Sequence, residues 1–516
     1  MSAGSGVPTV PHDASDGFPP ALRVPAPLRP VAAIALGAIA TLGYAPFGQW
    51  YLSVIALALL LGLAATTSWP RALGLGWLYG AAHFGTGVYW VYISTHVYGG
   101  APAWLGASMA AGLATGLALF PAAVLALCVR LRLLAGVAGW LAFPALWVLA
   151  ELLRGHYFFA GFPWLSLGEL SLDTPLSRVL PLLGVHGAAW VVAFAAFGLF
   201  RIGALGDRRR RRVAAAWFLM PALTLLLPPP SAWTEPDGAP IPVALVQSDI
   251  RQEEKWLPAM RTEALVRHWR LTQEAWPTEL VVWPEVAVTQ PLHVLEPTYL
   301  ADVGAQAAAR NATVLLGVLV FEGEAHYNSV VTVGSSRGRY DKHHLVPFGE
   351  YFPIPDFLRP LMDVIGTPYK DFAFGAAGQP PLLVNDRRVA VSICFEDVFG
   401  DEVRRQARDA AYGVNVTNDA WFAHSSAPYQ HLQFTRLRAA ENGRWFARTA
   451  NTGISALIDA DGNVVQHTVQ FRQATLRGTV EPRRGHTPYQ LWGDWPLWIG
   501  MPLLALGAAA WRRRRS

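Results

Sequence analysis

Charge is scarce in this chain, and negative charge is close to absent from its first half. Charged residues make up 15% of the 516 residues, against about 25% in ordinary soluble proteins. Residues 31–228 contain four acids, Glu151, Glu169, Asp173 and Asp207. Such a stretch cannot form the surface of a soluble domain, whereas residues 240–485 carry an ordinary globular mix. Cysteine is almost as rare. Of the two, Cys128 lies in an apolar helical pattern and Cys394 at the end of a strand pattern. They are not expected to pair, and a free Cys394 asks for an explanation. A secretory signal design is missing from Met1–Leu28, which reads as a disordered cytoplasmic leader. So are a glycine-rich phosphate loop and a paired-cysteine zinc motif.

The net charge of +5 is the one feature that invites nucleic acid, and its placement argues against it. Arginines run at Arg208–Arg212 and Arg512–Arg515, each beside an apolar segment, as cytoplasmic positive charge does in membrane proteins. A solvated basic tail is the alternative. Apolar runs approaching the ~20 residues that span a bilayer fall at 29–45, 50–68, 72–95, 103–128, 134–153, 179–200, 213–227 and 495–511. The first two, flanking Pro46, could instead form a re-entrant hairpin. With eight spans every strongly basic loop falls on one side. Both termini are then cytoplasmic, and residues 230–494 lie outside the cytoplasm.

Pro228-Pro229-Pro230 cannot continue a helix and marks a boundary. Beyond it, β-branched runs at 242–247, 280–284, 313–320, 328–333, 388–394, 412–417, 445–450, 454–459 and 477–481 are interspersed with helix-length stretches at 257–276, 296–310, 400–410 and 428–444. Near-continuous apolar strands imply an α/β core with buried sheet faces. The expected organisation is a leader (1–28), seven transmembrane helices (29–229), an α/β domain (230–494), an eighth helix (495–511) and a basic tail (512–516).

Three reactive side chains share one setting, at or just after a buried strand: Glu285 after Leu280-Val281-Val282-Trp283-Pro284, Lys342 after Tyr340-Asp341, and Cys394 after Val389-Ala390-Val391-Ser392-Ile393. A thiolate attacks carbonyls, but a free thiol is mostly protonated near neutrality. A carboxylate can take its proton, and an ammonium with a backbone N–H can hold the resulting oxyanion. The trio therefore suffices for acyl transfer through a thioester. Each member also has an ordinary reading: Cys394 a small buried hydrophobe, Glu285 a capping or salt-bridging acid, Lys342 a surface charge. His343 and His344 are adjacent on a strand pattern and so point apart. With His424 and His431 they suggest no metal.

The strings Trp283-Pro284-Glu285, Tyr340-Asp341-Lys342-His343-His344-Leu345-Val346-Pro347-Phe348-Gly349-Glu350 and Ser392-Ile393-Cys394-Phe395-Glu396 resemble the carbon–nitrogen hydrolase (nitrilase) superfamily. Joined to the helical half, to Asn418-Asp419-Ala420-Trp421-Phe422 and to Asn451-Thr452-Gly453, the chain is similar to the apolipoprotein N-acyltransferase family from about residue 29 onward. The resemblance implies an α-β-β-α sandwich outside the bacterial inner membrane, carried by a multi-span helical bundle. It implies a phospholipid acyl donor, a diacylglyceryl-cysteine apolipoprotein acceptor and no cofactor. It assigns Glu285 as general base, Lys342 as oxyanion stabiliser and Cys394 as nucleophile, with Glu350 a second acid. Glu396, Trp256 and Trp421 match further positions of its motifs. Phe395 departs from the family, where tyrosine is more usual, and leaves only a backbone N–H for the oxyanion.

Two further expectations concern the bilayer. Tyr351–Phe374, apolar and interrupted by prolines, reads as a loop dipping among headgroups or as an arm packed on its own domain. Glu151 and Arg154 share a helix face and are expected to pair, or else to meet a headgroup. A membrane-tethered amidase with the same trio and a non-enzymatic scaffold are the competing readings of the whole chain.

Overall fold

The computed structural model describes residues 24–134, 136, 138–204, 208–353 and 371–514. Its first half is helical. Arg29–Thr41, Trp50–Ala65, Trp69–Gly87, Ala103–Leu117, Leu119–Arg130, Ala138–Tyr157 and Leu180–Ala204 pack against one another, joined by the last helix, Trp495–Arg513. Ala103–Arg130 and Pro175–Gly203 are long and apolar enough to cross a membrane. Two expected spans differ in form: 72–95 ends as a helix at Gly87, and 213–227 divides into Arg208–Phe218 and a 3-10 stretch, Met220–Leu226. Ala26–Leu28, expected within the leader, forms a 3-10 turn leading into the first helix.

Residues 241–480 build two six-stranded sheets. We number the strands β1 Ile241–Gln247, β2 Leu280–Val282, β3 Thr313–Glu322, β4 Ala325–Gly334, β5 Gly338–Asp341, β6 Leu382–Val384, β7 Arg387–Ile393, β8 Tyr412–Thr417, β9 Phe446–Ala450, β10 Ala456–Ile458, β11 Val464–His467 and β12 Ala474–Val480. The first sheet runs β12-β1-β2-β3-β4-β5 and the second β11-β10-β9-β8-β7-β6. Each has three central strands in parallel with antiparallel flanks. β5, β6 and β11 carry too short or too polar a pattern to be read from the sequence.

Alternation explains the layering. In β7, Val389, Val391 and Ile393 point one way, and they meet Leu245, Leu280, Val282 and Leu315 of the facing sheet in one dry core. The outer face of the first sheet, with Val246, Val281 and Leu316, is covered by Leu271 and Ala275 of helix Pro258–Ala275 and by Val303 of helix Tyr299–Ala308. Val403 and Leu432 cover Phe446 and Ile458 on the second. The result is the expected α-β-β-α sandwich.

Helix Ala427–Asn442 joins the two halves. Buried Gln430 accepts from the indole N–H groups of Trp90 (3.0 Å) and Trp164 (3.1 Å) and donates to the Gly87 carbonyl (3.0 Å). Glu441 accepts from the Val185 N–H (2.8 Å). The expected Glu151–Arg154 pair is not made among the described residues. Glu151 accepts from Ser166, the Leu167 N–H and Trp147, while Arg154 donates to the Trp164 carbonyl and lies over Phe84. Both therefore brace the loop that carries Trp164, whose backbone groups needed partners in an apolar setting. Most of Tyr351–Phe374 lies outside the described residues.

Candidate active site

Glu285, Lys342 and Cys394 each follow the carboxyl end of a strand, β2, β5 and β7, and converge across the top of the sandwich. The first two come from one sheet and the third from the other. Lys342 is 1% exposed; its Nζ donates to Glu285 Oε1 at 3.2 Å and to Glu350 Oε1 at 2.9 Å. The Cys394 thiol lies close enough to the Glu285 carboxylate and the Lys342 ammonium for both charges to act on it. Glu285, Lys342 and Glu350, from two loops, are thus joined by hydrogen bonds, with Cys394 of a third loop beside them.

The charges are mutually dependent, since a buried ion is tolerated only when paired. Burial works against the Lys342 ammonium, but the Glu285 and Glu350 carboxylates outweigh it and hold it well above the ordinary lysine range. Burial likewise raises a carboxyl pKa, yet Lys342, with Asn328 and Lys255 behind it, keeps Glu285 below the usual carboxylate value. The Cys394 thiol is pushed well above the ordinary cysteine range, by burial and then by Glu285, against the pull of Lys342. At rest the site therefore holds a thiol, a carboxylate and an ammonium. Glu285 is the carboxylate that acts most strongly on that thiol.

Backbone geometry aims the side chains. Cys394 adopts φ 51° and Val286 φ 42°, left-handed conformations that cost non-glycine residues about 1–3 kcal/mol and persist where surroundings dictate them. The left-handed turn breaks the pleat of β7 and opens a 3-10 turn, Cys394–Val398. At the start of such a turn the Phe395 N–H has no carbonyl of its own turn to bond. The Glu285 loop presses onto β3 at Gly317, where an added Cβ would lie 2.6 Å from the Pro284 carbonyl oxygen.

The other residues singled out by sequence are dispersed around this centre. Glu396, pushed up to about 7 by burial, accepts from Tyr340 (3.0 Å), the His343 N–H (2.7 Å) and the Ile393 N–H (2.8 Å). It ties the Lys342 loop to the Cys394 turn rather than touching the reacting atoms. The Phe395 ring stacks on Trp164, centroids 5.9 Å apart, and so faces the helical half. Trp421 packs edge-on to Tyr98, and Trp256 is half-exposed. His343 and His344 bond the Gly375 carbonyl and Glu402.

Several participants were missed. Asn328 uses its amide nitrogen to bridge Glu285 Oε1 (2.8 Å) and Glu350 Oε1 (2.9 Å); it stands among other polar residues of its strand, and no signal in the sequence marked it. Below Cys394, His431 bonds Asp419 (2.8 Å), Asp397 (3.0 Å) and the Cys394 carbonyl (3.1 Å), and Arg448 bonds both aspartates. Burial and Arg448 press the His431 pKa down, but the two aspartates prevail and raise it to about 9. Arg448, a cation within the fully buried strand Phe446–Ala450, was the available sign. The two asparagine motifs also acquire a physical account. Asn418 bonds Gln252 and Asn451, and Asn451 bonds Ser248 and the Ile250 backbone, clamping the segment that leads to Lys255 and Trp256.

Known proteins match both halves. The model of the apolipoprotein N-acyltransferase N-terminal domain matches residues 36–198, and the carbon-nitrogen hydrolase model matches residues 242–487. An apolipoprotein N-acyltransferase of Methylococcus capsulatus is 40% identical over 93% of this chain and 95% of its own length. This chain belongs to the apolipoprotein N-acyltransferase family. Relatives of the same name from Azotobacter vinelandii and Pseudomonas aeruginosa are 41% and 38% identical, over 93% and 90% of this chain and 95% and 92% of theirs. Family membership makes the chain an N-acyltransferase with a carbon–nitrogen hydrolase domain, and the amidase and scaffold readings lose their ground.

Proposed function

We propose that this N-acyltransferase moves a fatty acyl chain from a phospholipid to the amino group of a diacylglyceryl-cysteine at an apolipoprotein N-terminus, through a thioester on Cys394. The observation that carries this reading is the Cys394 thiol set beside a Glu285 carboxylate that is itself held by buried Lys342.

As the sulfur attacks the ester carbonyl, its proton passes to Glu285 and the carbonyl electrons move onto oxygen. The Lys342 ammonium and the Phe395 N–H stabilise that oxyanion. Collapse expels the lysophospholipid alkoxide, which takes the proton back from Glu285, and leaves the thioester. The acceptor amine then attacks, Glu285 removes its proton, and thiolate departs to be reprotonated. Glu350 and Asn328 keep Lys342 in place. Trp256 and Trp421 flank the lipid substrates.

Both substrates are lipid-anchored, so the site must work at a bilayer. The reading is of a multi-span inner-membrane protein with residues 230–494 on the extracytoplasmic side. It is supported by the apolar residues that the helices turn outward, such as Leu226 (82% exposed), Leu506 (67%) and Trp495 (70%), which water would not tolerate in such number. Purified protein reconstituted in phospholipid vesicles with a diacylglyceryl-cysteine peptide should yield N-acylated peptide and lysophospholipid in equal amounts. Hydrolysis of a simple amide without such transfer would replace this reading with an amidase.

A further inference from the structure

Lys255 is 5% exposed and, beyond its pull on the Glu285 carboxylate, enters no role described so far. Among the described residues its ammonium has one hydrogen-bond partner, the Glu285 carbonyl at 3.3 Å, which leaves two N–H groups unspent. It bonds no carboxylate, unlike Lys342. Yet it is fixed with care, through the Gln252–Asn418–Asn451 clamp immediately before it. A buried ammonium without a bonded counter-ion is costly, and it is retained where nearby negative charge rewards it.

We propose that Lys255 is a second cation of the reaction centre, hung on the Glu285 carbonyl so that it stabilises the negative charge growing on sulfur as the Cys394 proton passes to Glu285. It acts at a distance on the nucleophile and also fixes the left-handed loop that carries the base. The inference rests on the assignment of Cys394 as nucleophile.

The ionisation of Lys255 gives the role a signature. Burial lowers its pKa to about 8, with Glu285 and Cys394 drawing it back up. The groups around it are Glu253 and Glu254 on its own turn, Glu285, Cys394, and His268 of helix Pro258–Ala275, which Lys255 and burial together keep neutral. Below about pH 8 the cation is present; above it the help is withdrawn.

The test is alkylation of Cys394 by iodoacetamide in the full-length protein, read on its peptide by mass. It needs no acyl donor, so it judges Lys255 even if the phospholipid reading fails. Lys255→Met should slow alkylation about tenfold at pH 7, with the difference closing by about pH 10, where the wild-type lysine is itself neutral. Lys255→Arg should match the wild type at pH 7 and exceed it at pH 10. A merely structural lysine would give the same ratio at both pH values, and that result, or no change at all, overturns the proposal. Should Lys255→Met not fold, the arginine variant decides: equal rates to wild type at pH 10 reject the role.

Discussion

The carbonyls of Glu285 and Cys394 both sit beside left-handed backbone, and each is held by a buried cation, Lys255 in one case and His431 in the other. The company of the two cations is opposite. His431 and Arg448 face Asp397 and Asp419, two positive groups against two negative, with both imidazole nitrogens committed. In that cluster each buried charge has a bonded counter-charge. The cluster above the thiol is unsaturated: Glu285 is shared by Lys342 and Asn328 while its charge acts on the thiol, and Lys255 has donors to spare. The same rule, that buried charge must be paired, yields a scaffold where each charge has its counter-charge and a candidate reaction centre where one cation does not.

Substitutions can break that contrast. Cys394→Ala should abolish the acyl-enzyme outright, as judged by mass. Glu285→Gln keeps shape but not basicity and should slow single-turnover thioester formation by about 10²–10⁴. Lys342→Met should cost about 10²–10³. Asn328→Ala, which frees two carboxylates from one amide, should cost about ten- to a hundredfold. A rate within twofold of wild type would remove the residue concerned from its role.

The paired cluster should answer in stability instead. Arg448→Met leaves two buried aspartates short of a partner and should destabilise by about 3–5 kcal/mol in denaturant unfolding. His431 adds a pH dependence. Its pKa is raised in the folded protein to about 9, so its contribution is full below the unfolded value of about 6.5 and is lost as pH rises through about 9. Asp419 is held below its ordinary value, chiefly by Arg448 and then His431 against burial; its contribution is present above about pH 4 and is lost as pH falls through the folded pKa. His431→Gln should therefore flatten the fall in melting temperature between pH 6.5 and 9. A wild-type-like slope in that variant would contradict the assignment.

The same contrast explains what could be read from sequence. Glu285 and Cys394 follow strands whose apolar runs are plain, whereas the strand before Lys342, Gly338–Asp341, is short and polar, and Lys342 was legible through the string around it. Asn328 and Arg448 lie inside strands, where a polar residue carries no mark of what it will meet from a distant loop. Lys255 is the chain neighbour of Trp256, a position the sequence singled out, and only the fold turned it inward. Glu151 and Arg154 had the right helical spacing to pair, but the unsatisfied backbone of the loop at Trp164 claimed both. Edge strands such as Leu382–Val384 are fixed by their neighbours more than by their own residues.

The account depends on sulfur as the carrier of the acyl chain. Vesicles of a phospholipid with a defined acyl chain, incubated with the enzyme and no acceptor, should give a single adduct on the Cys394 peptide, with the mass of that chain, labile to hydroxylamine and discharged when the acceptor peptide is added. Transfer to the acceptor by the Cys394→Ala variant, or an adduct on any other residue that is competent in transfer, would contradict it.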